Sequence, residues 1–151
     1  MVSVINKLKQ SNLTISFAES CTGGKLASSL VTHEGISDIF LGGVVTYSKK
    51  SKIDILKIDE KIINKFGVVS KEIAKHMAIS AKKMYKSDIC ISSTGNIGLT
   101  AADKLSSVGK VFIAINFKNE IHVKELDLTQ SRVQNIDFIL NEVFTLLDNF
   151  L

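Results

Sequence analysis

Apolar residues recur at helical spacing from the start of the chain, with Val4, Ile5 and Leu8 on one face of Val2 to Gln10. The polar pair Ser11-Asn12 ends that run. The period then changes. Leu13-Thr14-Ile15-Ser16-Phe17 alternates apolar and polar positions into Ala18, which predicts a first strand. Glu19 to Gly24 reads as a turn, and Lys25 to Thr32 resumes helical spacing through Leu26, Ala27 and Leu30. His33-Glu34-Gly35 breaks the chain before a second strand, Ile39 to Tyr47, which carries Gly42 and Gly43 near its start. Short helices are predicted over Lys52 to Lys57 and Asp59 to Phe66. Ser70 reads as the N-cap of a long helix to about Lys86, with Ile73, Ala74, Met77, Ala81 and Met84 as its apolar stripe. Asp88 to Thr94 forms a third strand, followed by a loop at Gly95-Asn96-Ile97-Gly98. Gly109 to Phe117 and Glu120 to Leu126 make a hairpin around Lys118-Asn119. A helix from about Gln130 to Asn149 closes the chain, with Val133, Ile136, Ile139, Leu140, Val143 and Leu147 on its apolar side.

Helix-linked strands followed by one late hairpin predict a single α/β domain over residues 1–151. The expected architecture is a three-layer α/β/α sandwich with a mixed, mostly parallel sheet. In such sheets ligands bind beyond the carboxyl ends of the parallel strands. The first strand ends at Ser20, the second at Tyr47-Ser48 and the third at Thr94-Gly95. Three polar strand ends meeting at one edge predict a site there.

Composition narrows the function classes. The chain has 151 residues and a net charge of +4, but the excess is nearly all lysine and the only arginine is Arg132. Specific readers of phosphate and guanine favour arginine for its bidentate geometry, so this balance argues against a nucleic-acid partner. An anionic small molecule suits it equally well. Cys21 and Cys90 show no metal-ligand spacing. Cys90, inside Ile89-Cys90-Ile91, reads as a buried inert thiol, and Cys21 as a supporting group beside Ser20. His33, His76 and His122 lie far apart, so neither a metal site nor a cofactor is expected. No signal-peptide core and no membrane-length apolar stretch stand out, which places the chain in the cytoplasm as an expectation.

The absence of a histidine near any strand end argues against a Ser-His-Asp arrangement. A serine nucleophile at Ser20 would need lysine as its base, deprotonated through burial or neighbouring cations. Lys49, Lys50 and Lys52 supply candidates, and Tyr47 stands ready to relay a proton or orient the nucleophile. The backbone N–H groups of Cys21 and Thr22, at a helix start, are candidates for an oxyanion hole. The same residues also fit a simple helix cap and a solvated lysine face.

Ala18-Glu19-Ser20-Cys21-Thr22-Gly23-Gly24 resembles the hallmark of the CinA C-terminal domain family. The resemblance continues through Gly43-Val44-Val45-Thr46-Tyr47-Ser48, the Lys52 five positions after that tyrosine, and Phe66-Gly67-Val68-Val69-Ser70. It reaches Thr94-Gly95-Asn96-Ile97-Gly98, Val108-Gly109-Lys110-Val111 and the final helix bearing Arg132, covering essentially the whole chain. Enzyme members of the family are nicotinamide-nucleotide amidohydrolases, also called NMN deamidases (PncC). The resemblance therefore implies hydrolysis of nicotinamide mononucleotide to nicotinic acid mononucleotide and ammonia, without a metal. It implies Ser20 as nucleophile, with Tyr47 and Lys52 as activating partners. It further implies that Cys21, Thr22, Gly23 and Gly24 shape the turn, and that Gly43, Thr46, Thr94 and Gly95 lie on the substrate side. Arg132 would meet the phosphate or make an intersubunit contact, and a homo-oligomer is expected. Larger members carry an additional N-terminal domain, and this chain reads as the stand-alone form.

Three departures stand out. Members usually show Gly-Ile-Ala-Gly-Pro and a glycine-rich stretch where this chain has Gly95-Asn96-Ile97-Gly98-Leu99-Thr100-Ala101-Ala102. The Lys-Pro-Val-Gly that often follows is Ser106-Ser107-Val108-Gly109, and a second arginine expected one turn after Arg132 is Ile136. The alternative reading that these changes support is a catalytically impaired, nucleotide-binding member of the same family.

Overall fold

The computed structural model describes all residues, Met1 to Leu151. The order is α1 (Val2–Gln10), β1 (Ile15–Glu19), α2 (Lys25–Leu30), β2 (Phe40–Val45), α3 (Lys49–Asp54) and α4 (Glu60–Phe66). Then follow α5 (Lys71–Tyr85), β3 (Ile89–Gly95), β4 (Lys110–Phe117), β5 (Glu120–Asp127) and α6 (Arg132–Phe150). The five strands form one sheet in the order β2-β1-β3-β4-β5. β1 pairs parallel with β2 and β3, while β4 is antiparallel to both β3 and β5, so β4 alone runs against the other four.

Strand alternation sends two sets of side chains to opposite faces. Ile15, Phe17, Ile89, Ile91, Val111, Ile113 and Ile115 form the larger core with α1, α2 and α6. On the other face Ala18 and Cys90 meet Leu56, Ile58, Ile63 and the α5 residues Ile73, Met77 and Ala81. Ala74 and Ala78 of α5 cover Ala114 of β4. These small side chains bring α5 close enough for the Ser92 hydroxyl to donate to the Ala74 carbonyl at 2.6 Å. The result is a three-layer α/β/α sandwich in one domain, the architecture that the periodicity predicts.

Several boundaries differ from the sequence pattern. α3 begins at Lys49, three residues before the predicted start, because Ser48 and Ser51 make a reciprocal capping box. In α5 the inner stripe passes through Ala78, and Met84 is 44% exposed near the helix end. The helix stops as Lys86 turns left-handed at φ 54°. α6 starts at Arg132, capped by Ser131 with Gln134. Its buried face runs through Asn135, Ile139, Val143, Phe144 and Leu147, leaving Val133 68% exposed. Asn135 holds that phase: its Nδ2 donates to the carbonyls of Gln130 (2.9 Å) and Ile97 (3.5 Å). The terminal Phe150 and Leu151 pack against the larger core, with the Phe150 ring 4.4 Å from that of His122.

Candidate active site

β1 is flanked by parallel neighbours, so its carboxyl end opens into a crevice between β2 and β3. Ser20 is the first residue past that end, and its N–H extends the ladder by donating to the Ser93 carbonyl at 3.0 Å. The chain then turns through Gly23 (φ 61°) and Gly24 (φ 97°), both left-handed, which a side chain would strain.

Glu19 organises this turn from behind. The residue is 1% exposed. It accepts from the N–H groups of Gly24 (2.9 Å), Leu26 (3.1 Å) and Ala27 (2.9 Å) and from the Thr22 hydroxyl (2.7 Å). The three N–H groups are donors that a helix start leaves unsatisfied. The Thr22 hydroxyl also lies 2.7 Å from that of Ser93. The N–H groups of Cys21 and Thr22, by contrast, find no acceptor within the chain.

Lys52 reaches Ser20 from α3. It is 1% exposed, and its Nζ donates to Ser20 Oγ at 2.9 Å and to the Thr46 carbonyl at 2.6 Å. It forms no ion pair, and burial lowers its pKa to about 8. The depression comes from desolvation and not from the neighbouring cations: Lys49 is held by Glu60 and Asn64, and Lys50 by Asp54, both at the surface. Of the three lysines in this cluster, one turns inward.

A cavity of about 210 Å³ lies over Ser20 and Lys52. Cys21, Tyr47, Val68, Val69, Thr94, Gly95 and Arg132 border it, together with Asn96, Ile97, Gly98, Thr100, Ala101 and Ala102 from the β3–β4 loop. Tyr47 is 62% exposed and stands at the mouth. Its hydroxyl accepts from Arg132 Nη1 at 3.4 Å and makes no hydrogen bond to Ser20 or Lys52. Arg132 passes over Gly98, where an added Cβ would come within 2.6 Å of Nη2. Thr94 spends its hydroxyl on the Val68 carbonyl at 2.8 Å, joining two cavity walls. Burial pushes the Cys21 thiol up to about 12, so it remains protonated beside Ser20, and Cys90 is pushed up alike.

Other residues assigned to the substrate side stand elsewhere. Gly43 lies beneath α2, where an added Cβ would touch Ala27 Cβ (3.4 Å) and Phe17 Cβ (3.5 Å). Thr46 is fully buried; its carbonyl anchors Lys52, and its hydroxyl has no partner. Both support the site from behind because β2 packs against its neighbours there. Thr22, Gly23 and Gly24 border a separate depression between α2 and α6, together with Ile136 and Asp137. Ile136 borders that depression and not the Ser20 cavity. Glu19, Ser93 and Asn96 went unassigned by sequence reasoning; a carboxylate immediately before a glycine turn and helix was the readable signal for the first.

The model of the CinA C-terminal domain matches residues 1–151. The chain is 39% identical over 140 residues to a CinA-like protein of Flavobacterium psychrophilum, covering 93% of this chain and 34% of that protein. It is 43% identical over 111 residues to a CinA-like protein of Petrotoga mobilis, covering 74% of this chain and 28% of that one. The chain thus spans about a third of the length of the curated relatives it matches. Among solved structures, the competence or damage-inducible protein from Enterobacter asburiae superposes with a TM-score of 0.90 at 27% identity, covering 97% of this chain and 94% of that one. The competence damage-inducible protein A (ComA) from Klebsiella pneumoniae shares the fold at a TM-score of 0.94 and 23% identity, covering 98% and 92%. Matched along its whole length, the chain belongs to the CinA C-terminal domain family.

Proposed function

We propose that the chain is a metal-independent amidohydrolase that deamidates nicotinamide mononucleotide (NMN) to nicotinic acid mononucleotide and ammonia, in cytoplasmic pyridine nucleotide salvage. The observation that carries this reading is the 2.9 Å contact between Lys52 Nζ and Ser20 Oγ, made by a lysine that burial brings near neutrality. Neutral Lys52 takes the Ser20 proton as Oγ attacks the carboxamide carbon. The N–H groups of Cys21 and Thr22 are free to meet the developing oxyanion. Collapse breaks the C–N bond, Lys52 returns its proton to the departing ammonia, and an acyl-Ser20 ester remains. Water then attacks the ester with Lys52 again as base; the Ser20 Oγ–C bond breaks, Lys52 returns the proton to Oγ, and the acid leaves as its carboxylate. A cavity of about 210 Å³ suits a single ring with its carboxamide, while the ribose phosphate extends past the mouth toward Arg132. Tyr47, at that mouth, orients the ring and the arginine.

Ammonia release from NMN tests the reading. The unmodified protein is expected to release it, and Ser20→Ala and Lys52→Ala to lose at least about a thousandfold in kcat. Binding of NMN without ammonia release would identify a nucleotide-binding, non-hydrolytic member of the family instead. The family resemblance also supports a homo-oligomer, which sedimentation would report.

A further inference from the structure

We infer that Asn96 is a positioning residue that fixes the β3–β4 loop as a preformed wall of the Ser20 cavity, and so sets how tightly substrate is held. The loop spans residues 96–109, and its Thr100, Ala101 and Ala102 border the cavity. It contains no proline, and between Gly98 and Gly109 no glycine, so backbone composition does not explain its shape. Asn96 does. The residue is 4% exposed and makes five hydrogen bonds. Its N–H donates to the Lys110 carbonyl and its own carbonyl accepts from the Gly109 N–H, each at 2.8 Å, which closes the base of the loop. Its Nδ2 donates to Ser106 Oγ (2.8 Å) and the Ser107 carbonyl (3.0 Å), while Oδ1 accepts from the Ala102 N–H (2.9 Å).

One buried amide thus ties the outgoing cavity wall to the returning limb. A second tie runs outside it: Asp103 accepts from the Val68 N–H at 2.8 Å and the Leu105 N–H at 2.9 Å, joining the loop to the opposite wall. Both donors and the acceptor of the Asn96 side chain are consumed within the loop. Asn96 itself borders the cavity, but with its side-chain donors and acceptor spent inside the loop it acts by holding Ala101 and Ala102 in place and not on the reacting atoms. A wall that samples open states lowers the fraction of molecules competent to bind and weakens apparent affinity in proportion. Ground state and transition state lose equally, so KM rises while kcat holds.

This inference rests on the amidohydrolase reading for its kinetic arm only. Asn96→Leu removes all three side-chain bonds while keeping the branched heavy-atom shape; Asn96→Asp keeps the acceptor for Ala102 and loses both donors. Amide hydrogen exchange in residues 100–107 is expected to accelerate about tenfold or more in Asn96→Leu and by less in Asn96→Asp, with β3 and α5 protected as before. KM for NMN is expected to rise about tenfold in Asn96→Leu, with kcat within about threefold of the parent. Ser106→Ala, which removes one of these bonds, is expected to change both only slightly. Should Asn96→Leu fail to fold, the same readouts on Asn96→Asp carry the test. Unchanged exchange in the loop overturns the inference, as does faster exchange with KM unaltered. A parent protein that releases no ammonia fails the amidohydrolase reading alone, because exchange and NMN affinity by calorimetry still report on the wall.

Discussion

Lys52 Nζ sits 2.9 Å from Ser20 Oγ and is held from its other side by the Thr46 carbonyl, with no carboxylate to share its charge. A protonated lysine there donates to Ser20 and leaves the hydroxyl inert; a neutral one accepts its proton. Because the pKa is brought down to about 8, about a tenth of molecules carry the neutral base at pH 7. The rate kcat/KM is expected to rise about tenfold per pH unit below pH 8 and to level off above it. A profile flat from pH 6 to 9 would remove Lys52 as the base.

The same burial has a cost in stability. A lysine whose folded pKa lies below its unfolded value takes up a proton on unfolding between pH 8 and 10.5, so stability rises with pH across that window. Below it the charged, unpaired ammonium is buried at a cost of about 3 kcal/mol as an upper figure. Lys52→Met is therefore expected to be inactive yet raise Tm at pH 7, with the gain shrinking toward pH 10. Calorimetry at the two pH values checks this, and equal gains at both would contradict it.

Glu19 presents two carboxylate oxygens to four donors. Glu19→Gln replaces one oxygen with an NH2 group that faces N–H groups, leaving buried donors unmatched. Destabilisation of about 2–4 kcal/mol is expected by urea denaturation. Activity should fall further than stability alone explains, since the turn carrying Ser20 loses its anchor. A variant as stable as the parent would show the turn to be held by other contacts.

Arg132 is the one arginine of the chain and borders the cavity beside Tyr47. Removing it by Arg132→Ala is expected to raise KM for NMN by about tenfold to a hundredfold, the worth of one charge-assisted contact. Nicotinamide riboside, which lacks the phosphate, should be turned over with little change between parent and variant. Tyr47→Phe is expected to cost less in kcat than Lys52→Ala, because its hydroxyl bonds to Arg132 and not to the nucleophile.

Layer order and the site's location follow from alternation and helical spacing, because a strand end past Ala18 and an apolar α5 face leave few other packings. The residues alone leave Lys49, Lys50 and Lys52 open, and only the family resemblance points to Lys52; the fold turns that residue inward through the Ser48 cap, which a scan for apolar periodicity passes over. What the sequence hides is long-range: Glu19 bonding to a helix start, Asn96 spanning its own loop, and Gly43 spent on packing against α2. Each depends on which atoms meet across a turn or between layers, and no one-dimensional pattern carries that.

Gly98 makes room for the Arg132 guanidinium, and even one methyl group there would collide with it. The charge at the cavity mouth is thus governed by a residue with no side chain. Bulk at position 98 would swing the cation aside without altering the nucleophile or its base. If Arg132 meets a substrate phosphate as proposed, bulk at position 98 is expected to weaken anionic carboxamides more than neutral ones while leaving the Ser20–Lys52 contact in place.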